Sequence, residues 1–228
     1  MKTTELTPNL IQLTRFRFVN AYLVWEEDGF TLVDTTLGGA ADGLVAAAAQ
    51  AGGSIRRIAL THGHGDRVGS LDALKERLDG EVEVLMPELD ARILAGEHVV
   101  DGKLPGSWPN VRTTPDVRLG AGDRVGNLEV VPSPGHSPGH VAFLDTRDRS
   151  LLAGDVFTTY GGAAVTDHFQ VRFPFAAMAT WDKAADLESA RRLRELSPTL
   201  LAAGHGPAKR DPAAAMDDAI SVSDTKAA

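Results

Sequence analysis

Ile58-Ala59-Leu60-Thr61-His62-Gly63-His64-Gly65-Asp66-Arg67-Val68-Gly69 changes character midway. Its first residues are an apolar run rich in branched side chains, which predicts a buried strand. Its second half is a loop in which two histidines and an aspartate fall at alternate positions. Residues two apart in extended chain point the same way. His62, His64 and Asp66 are therefore expected to converge just past the strand's C-terminal end. Glycines 63 and 65 place no side chain between them. Imidazole nitrogens beside a carboxylate suit zinc or another first-row divalent metal. One histidine near a strand end is commonplace. Two separated by glycine, with an aspartate two further on, are seldom accidental, although short motifs do misfire.

Upstream, residues 10–18 and 19–26 carry apolar and β-branched side chains. Glu26-Glu27-Asp28-Gly29 is a turn signal and Phe30–Asp34 returns as a strand, so the chain opens as an antiparallel meander. Asp34 is expected either to cap the next helix or to support a metal ligand from behind. An alanine-rich helix at 39–51 stops at Gly52-Gly53, and strand 55–60 then leads into the histidine loop. Downstream, Val68, Leu71, Leu74 and Leu78 recur at helical spacing. A strand at 82–85 follows, then a helix opened by Pro87 and running to about Ala95. This alternation predicts a parallel or mixed sheet with covering helices.

Residues 100–116, rich in Pro, Gly and Asn, read as a surface loop bordering the site. Trp108 within it is a packed anchor or a substrate wall. Short strands at 117–119, 128–132, 140–145 and 150–153 read as a second antiparallel set. A helix at 180–196, a strand at 199–202 and a helix from Pro212 to Ile220 complete the pattern, with a frayed tail at 221–228.

The 228 residues are 43% apolar and carry a formal charge of −8. That suffices for one sizeable core, and a single domain over 1–228 is expected. An acidic chain gains nothing from a phosphate backbone, so nucleic acid is excluded as a partner. Cysteine is absent, which removes disulfides, thiolate ligands and a cysteine nucleophile. The start MKTTELTPNL lacks an apolar signal region, and no apolar run approaches the ~20 residues that span a bilayer. A cytoplasmic protein with no membrane partner is expected.

Three more polar clusters follow apolar strands. Leu128–Pro132 leads to Ser133-Pro134-Gly135-His136-Ser137-Pro138-Gly139-His140, Ser150–Ala153 to Gly154-Asp155, and Leu200–Ala203 to Gly204-His205-Gly206-Pro207. Sites collect where strand ends open into such loops, and four with the same grammar point to one site.

On these residues the sequence resembles the metallo-β-lactamase superfamily, from about residue 10 to the C-terminus. The resemblance implies an α/β (α+β) fold, a four-layer αββα sandwich. It implies a first metal on His62, His64 and His136, a bridging Asp155, and a second metal on Asp66 and His205. His140 then reads as scaffold rather than ligand. Zinc is expected, one or two ions, with iron or manganese as alternatives.

The family motif usually has histidine after the aspartate; here it is Arg67. A guanidinium has no lone pair to give and stays charged. The expectation is a weakened or absent second metal, with Arg67 paired to Asp66, Asp155 or substrate. The alternative is that Arg67 turns outward and the second metal survives. Of the remaining histidines, His98 reads as a surface residue, and His168 lies in the segment Val156–Met178. That segment, with Tyr160 and Arg172, is a core element or a wall over the substrate; Arg172 is a solvated residue or a carboxylate clamp.

A bound metal would lower the pKa of water from 15.7 towards ~7. Asp66 and Asp155 are the candidate catalytic carboxylates, Asp66 orienting or deprotonating that water. The expected activity is hydrolysis of a small ester-like bond, a thioester or lactone, in a small-molecule substrate. Members similar to this sequence include glyoxalase-II-like thioesterases, which add a C-terminal helical domain not seen here. Two other classes stay open: a mononuclear iron persulfide dioxygenase, and a non-catalytic metabolite-binding relative. The oligomeric state is left open, a homodimer among the options.

Overall fold

The computed structural model describes residues 1–227. The chain divides into two compact units, Met1–Val99 with Ser107–Gly120, and Val100–Gly106 with Ala121–Ala228.

The first unit is built on a seven-stranded sheet in sequence order: β1 (Lys2–Thr7), β2 (Leu10–Arg15), β3 (Val19–Glu26), β4 (Gly29–Val33), β5 (Ile55–Ala59), β6 (Glu83–Pro87) and β7 (Val117–Leu119). β1 to β4 form the expected antiparallel meander, with β1 an additional strand. From β4 to β7 all pairings are parallel. Parallel neighbours need crossovers, and these are α1 (Ala41–Gln50), α2 (Gly65–Val68) with α3 (Leu71–Arg77), and α4 (Glu88–Leu94). Alternate strand residues Leu13, Leu23, Leu32, Ile58 and Val84 pack with Leu44, Leu71, Leu74 and Ala91 of the helices in one core. Val24, Val33 and Ala59, on the other face, are buried too. This explains why β3 and β4 carry apolar residues on both faces rather than at alternate positions.

The second unit has a six-stranded sheet in the order β15-β14-β11-β10-β9-β8. Its strands are β8 (Arg124–Val125), β9 (Leu128–Pro132), β10 (Val141–Asp145), β11 (Ser150–Gly154), β14 (Leu200–Ala203) and β15 (Lys209–Arg210), with a small hairpin of β12 (Phe157–Thr158) and β13 (Ala164–Val165). Helices α5 (Phe175–Ala179), α6 (Lys183–Glu195) and α7 (Ala213–Ala227) complete it. Leu144, Leu151 and Leu201 pack with Leu187, Leu193 and Met216. β10 is antiparallel to both β9 and β11, and β14 is parallel to β11. The C-terminal ends of β9, β11 and β14 therefore share one edge of the sheet.

Some boundaries differ from the sequence reading. Pro87 is the last residue of β6 and precedes α4 instead of opening it; its φ of −55° and ψ of 135° keep the chain extended. The tail expected to fray continues α7 as far as Ala227. Ser223 is fully buried and hydrogen-bonded to Asp167, which ties that last stretch down. The final residue of the expected tail lies outside the described residues. No helix among the described residues is long and apolar enough to cross a membrane.

Candidate metal centre

In the first unit, β5 ends at Ala59, His62 and His64 follow in the loop, and Asp66 lies inside α2 rather than in the extended loop expected from the sequence. The imidazoles of His62 and His64 are buried and meet edge to face, with centroids 4.8 Å apart. The hydroxyl of Thr61 donates to the Asp34 carboxylate at 2.9 Å and lies 3.1 Å from His62 Nδ1. Its proton being committed to Asp34, the Thr61 oxygen accepts from Nδ1–H. His62 therefore carries its lone pair on Nε2, the atom a metal would use.

Asp34 also accepts the Thr61 amide at 2.9 Å and sits at a positive φ of 63°. It does not cap α1, whose N-cap is Ala40 without a side-chain bond. Of its two expected roles, capping is corrected: the helix begins too far along the chain. Asp90, not singled out from the sequence, is fully buried on α4 and accepts the Gly63 amide at 2.8 Å. A lone aspartate in the first turn of a helix carries no signal of such a role, since the loop it holds is distant in sequence. Trp108 packs edge-on to His64 with ring centroids 4.9 Å apart. A Cβ on Gly63 would stand 2.6 Å from the indole, so only glycine admits Trp108 here.

Arg67 points inward and is 0% exposed. Its guanidinium donates to Asp66 Oδ2 at 3.0 Å and to the Asn20 carbonyl at 3.1 Å, with Nε 4.0 Å from Asp34 Oδ2. The outward alternative is thereby overturned. A buried guanidinium requires such partners, and two carboxylates and a carbonyl supply them.

In the second unit, His136, Asp155 and His205 follow β9, β11 and β14 at their shared edge. Asp155 Oδ2 lies 3.5 Å from His136 Nε2 and 3.3 Å from His205 Nε2. His136 Nδ1 lies 3.1 Å from the Thr180 hydroxyl, which itself donates to the Thr166 carbonyl at 2.8 Å. The logic of His62 repeats: Nδ1 carries the proton and Nε2 the lone pair. Thr166 donates from its hydroxyl to the Asp155 carbonyl at 2.6 Å and bonds Asp186 Oδ2 at 3.0 Å. Burial pushes the Asp186 carboxyl well above the usual carboxylate range, and Asp167 and Asp155 nearby add to it. Neither threonine was singled out from the sequence, because hydroxyls acquire this role only through tertiary contact.

His140 accepts the Asp155 amide on Nε2 at 3.0 Å and turns Nδ1 to Ser133 Oγ at 2.9 Å. Both ring nitrogens are engaged in holding the loops. Tyr160 lies 5.5 Å ring to ring from Phe173, which in turn stands 4.7 Å from His205. Arg172 is exposed and donates to the Gly161 carbonyl. His168 bonds Asp167 through Nδ1, and both meet the Ser223 hydroxyl of α7.

The family model described as the metallo-beta-lactamase superfamily matches residues 14–205. The chain belongs to this superfamily. Its fold is the metallo-β-lactamase fold, mixed α/β with several sheets. YobT of Bacillus subtilis, an uncharacterized protein, is 41% identical over 89% of both chains. The hydroxyacylglutathione hydrolase GloC of Haemophilus influenzae is 29% identical over 69% of this chain and 74% of its own. Among solved structures, a metallo-beta-lactamase from Pontibacter korlensis superposes with a TM-score of 0.73 over 98% of both chains, at 18% identity. TTHA1623 in a di-iron-bound form gives 0.62 at 28% identity, over 89% of this chain and 94% of that one. The superfamily is one of metallo-hydrolases, and a His/Asp cluster suited to a metal is present. The donor set fits a borderline divalent ion: imidazoles and carboxylates, with no thiolate in the chain.

Proposed function

We propose that the protein hydrolyses a small ester-like bond, a thioester or lactone. In this reading His62, His64 and His136 hold a first zinc ion, while Asp66, Asp155 and His205 form a second position. The observation that carries it is the matched pair of tautomers. His62 and His136 each donate a hydrogen bond from Nδ1–H to a threonine whose own proton is committed elsewhere, which leaves the lone pair on Nε2 for a metal. The likeness to a hydroxyacylglutathione hydrolase supports a thioester.

Bound there, the metal would supply Lewis acidity to water and to the substrate carbonyl. The chain supplies orientation and proton handling. Arg67 pins Asp66 through Oδ2, so that carboxylate has one orientation in which to steer water and receive its proton. His140 holds the amide of Asp155, and Thr166 its carbonyl, so this second carboxylate is fixed from both sides. Arg67 also brings a permanent positive charge beside the second position, which weakens metal there.

Metal analysis of protein purified without added metal, followed by an ester, thioester and lactone panel on the same sample, tests the reading. One tightly held ion and a second lost on mild dialysis are expected, with hydrolysis of thioesters. Arg67→His should retain more of the second ion. Two full equivalents surviving dialysis would overturn the weak second site. Iron with oxygen consumption and no hydrolysis would overturn the hydrolase.

A further inference from the structure

The second unit contains a cavity of about 330 Å³ that the metal-centred reading leaves unused. Tyr160, Gly161, Gly162, Phe169, Arg172 and Lys226 line it, and among the described residues no aspartate or glutamate does. A half-open recess with two cations and two aromatic residues suits an anion on a short carbon stem. Arg172 is not a free surface arginine. Its Nη1 donates to the Gly161 carbonyl at 3.0 Å. A Cβ on Gly161 would stand 2.8 Å from both Cβ and Cδ of Arg172, so the arginine stem lies flat across a glycine at φ +82°. The guanidinium is thereby held at the rim before any ligand arrives, which lowers the ordering cost of binding.

The wall of this cavity is tied to the metal-binding loops of the same unit. The amide and hydroxyl of Thr159 both donate to the His205 carbonyl, at 2.9 and 3.0 Å. A Cβ on Gly206 would fall 2.3 Å from the Tyr160 amide, so the two segments run in direct contact.

We propose that this cavity binds the terminal carboxylate of an acyl group, making the substrate an ω-carboxyacyl thioester or its lactone equivalent. This names a substrate class and rests on the hydrolase reading. A planar guanidinium fork matches a carboxylate in bidentate fashion, with Lys226 as a second point charge.

Calorimetric titration of the full chain with glutarate tests the cavity without turnover. Arg172→Ala should weaken glutarate binding about tenfold. Lys226→Glu should weaken it further, and Arg172→Lys should fall between wild type and Arg172→Ala. Equal affinity in all four proteins, or inorganic phosphate bound more tightly than glutarate, would overturn the assignment. In parallel, a glutaryl thioester is compared with its methyl ester. The wild type should favour the charged member through KM, and Arg172→Ala should shrink that preference about tenfold. Arg172-dependent glutarate binding without any thioester hydrolysis would retain the cavity and sink the hydrolase. Equal turnover of both thioesters, with glutarate binding indifferent to Arg172, would do the reverse.

Discussion

Thr61 is the residue on which the His62 half of the site turns. Its hydroxyl donates to Asp34 and its oxygen accepts from His62 Nδ1–H, and that order of donors fixes which imidazole nitrogen bears the proton. Asp34→Ala should therefore lower metal affinity roughly 10–100-fold while leaving the ligands themselves in place. Competition with a chromogenic chelator would measure it; affinity equal to wild type would show that the tautomer needs no carboxylate. Asp90 acts on the backbone instead. Asp90→Ala leaves the Gly63 amide without its acceptor in a buried loop, at a cost of about 1–3 kcal/mol, readable as a lower midpoint in urea unfolding. The grouping of His62, His64 and Asp66 was legible from their spacing, but not through strand geometry, since β5 ends at Ala59 and Asp66 lies in α2. The pairing of Arg67 with Asp66 was among the expectations too, but the complete burial of Arg67 and its bond to the Asn20 carbonyl were not. A side chain's direction depends on which carboxylates and carbonyls the fold brings beside it.

At the scale of elements, the chain's longest loop is held by its neighbours. Asp72 on α3 accepts from the Arg112 and Thr113 amides and from the Thr113 hydroxyl, at 3.0, 2.8 and 2.6 Å. Burial pushes its carboxyl up, but the bonds from Thr113 and Arg112 outweigh this, and the net shift is below the ordinary value of 3.8. A lowered carboxyl stabilises the fold above its unfolded pKa, and that stability is lost as pH falls through the folded one. Asp72→Asn should thus be less stable than wild type by about 1 kcal/mol at neutral pH. The gap should close on acidification below 3.8. Denaturant midpoints across the acid range would show it, and a gap independent of pH would refute it. The elements themselves were largely readable: the meander, the β5 strand and its loop, and the helix near 180–196 follow from apolar period and Gly/Pro punctuation. β1 was missed because its residues are mostly exposed and polar. The end of α7 was missed because Ser223 earns its burial from Asp167, far away in sequence.

For the whole molecule, the proposed ligands come from four strand ends spread over much of the chain. An ion bound to the native state alone stabilises it by mass action. Zinc at a hundredfold excess over its dissociation constant should raise the thermal midpoint by roughly 5–10 °C, reversed by a chelator. His136→Ala should abolish most of that rise; a rise unchanged in this variant would place the ion elsewhere.

The amino-acid order alone determined the family grammar: apolar strands that each end in a Gly- or Pro-stiffened loop bearing a histidine or aspartate. Those features are local, set by side-chain alternation and backbone stiffness over a few residues. Only the tertiary structure decided that Arg67 is buried against Asp66, that Thr61 and Thr180 orient the imidazoles, and that Arg172 is pinned across Gly161. The adjacent pairs, Arg67 with Asp66 and Thr61 with His62, take their orientation from partners far along the chain, the Asn20 carbonyl and Asp34, and Thr180 meets His136 across 44 residues, so local pattern alone does not set them.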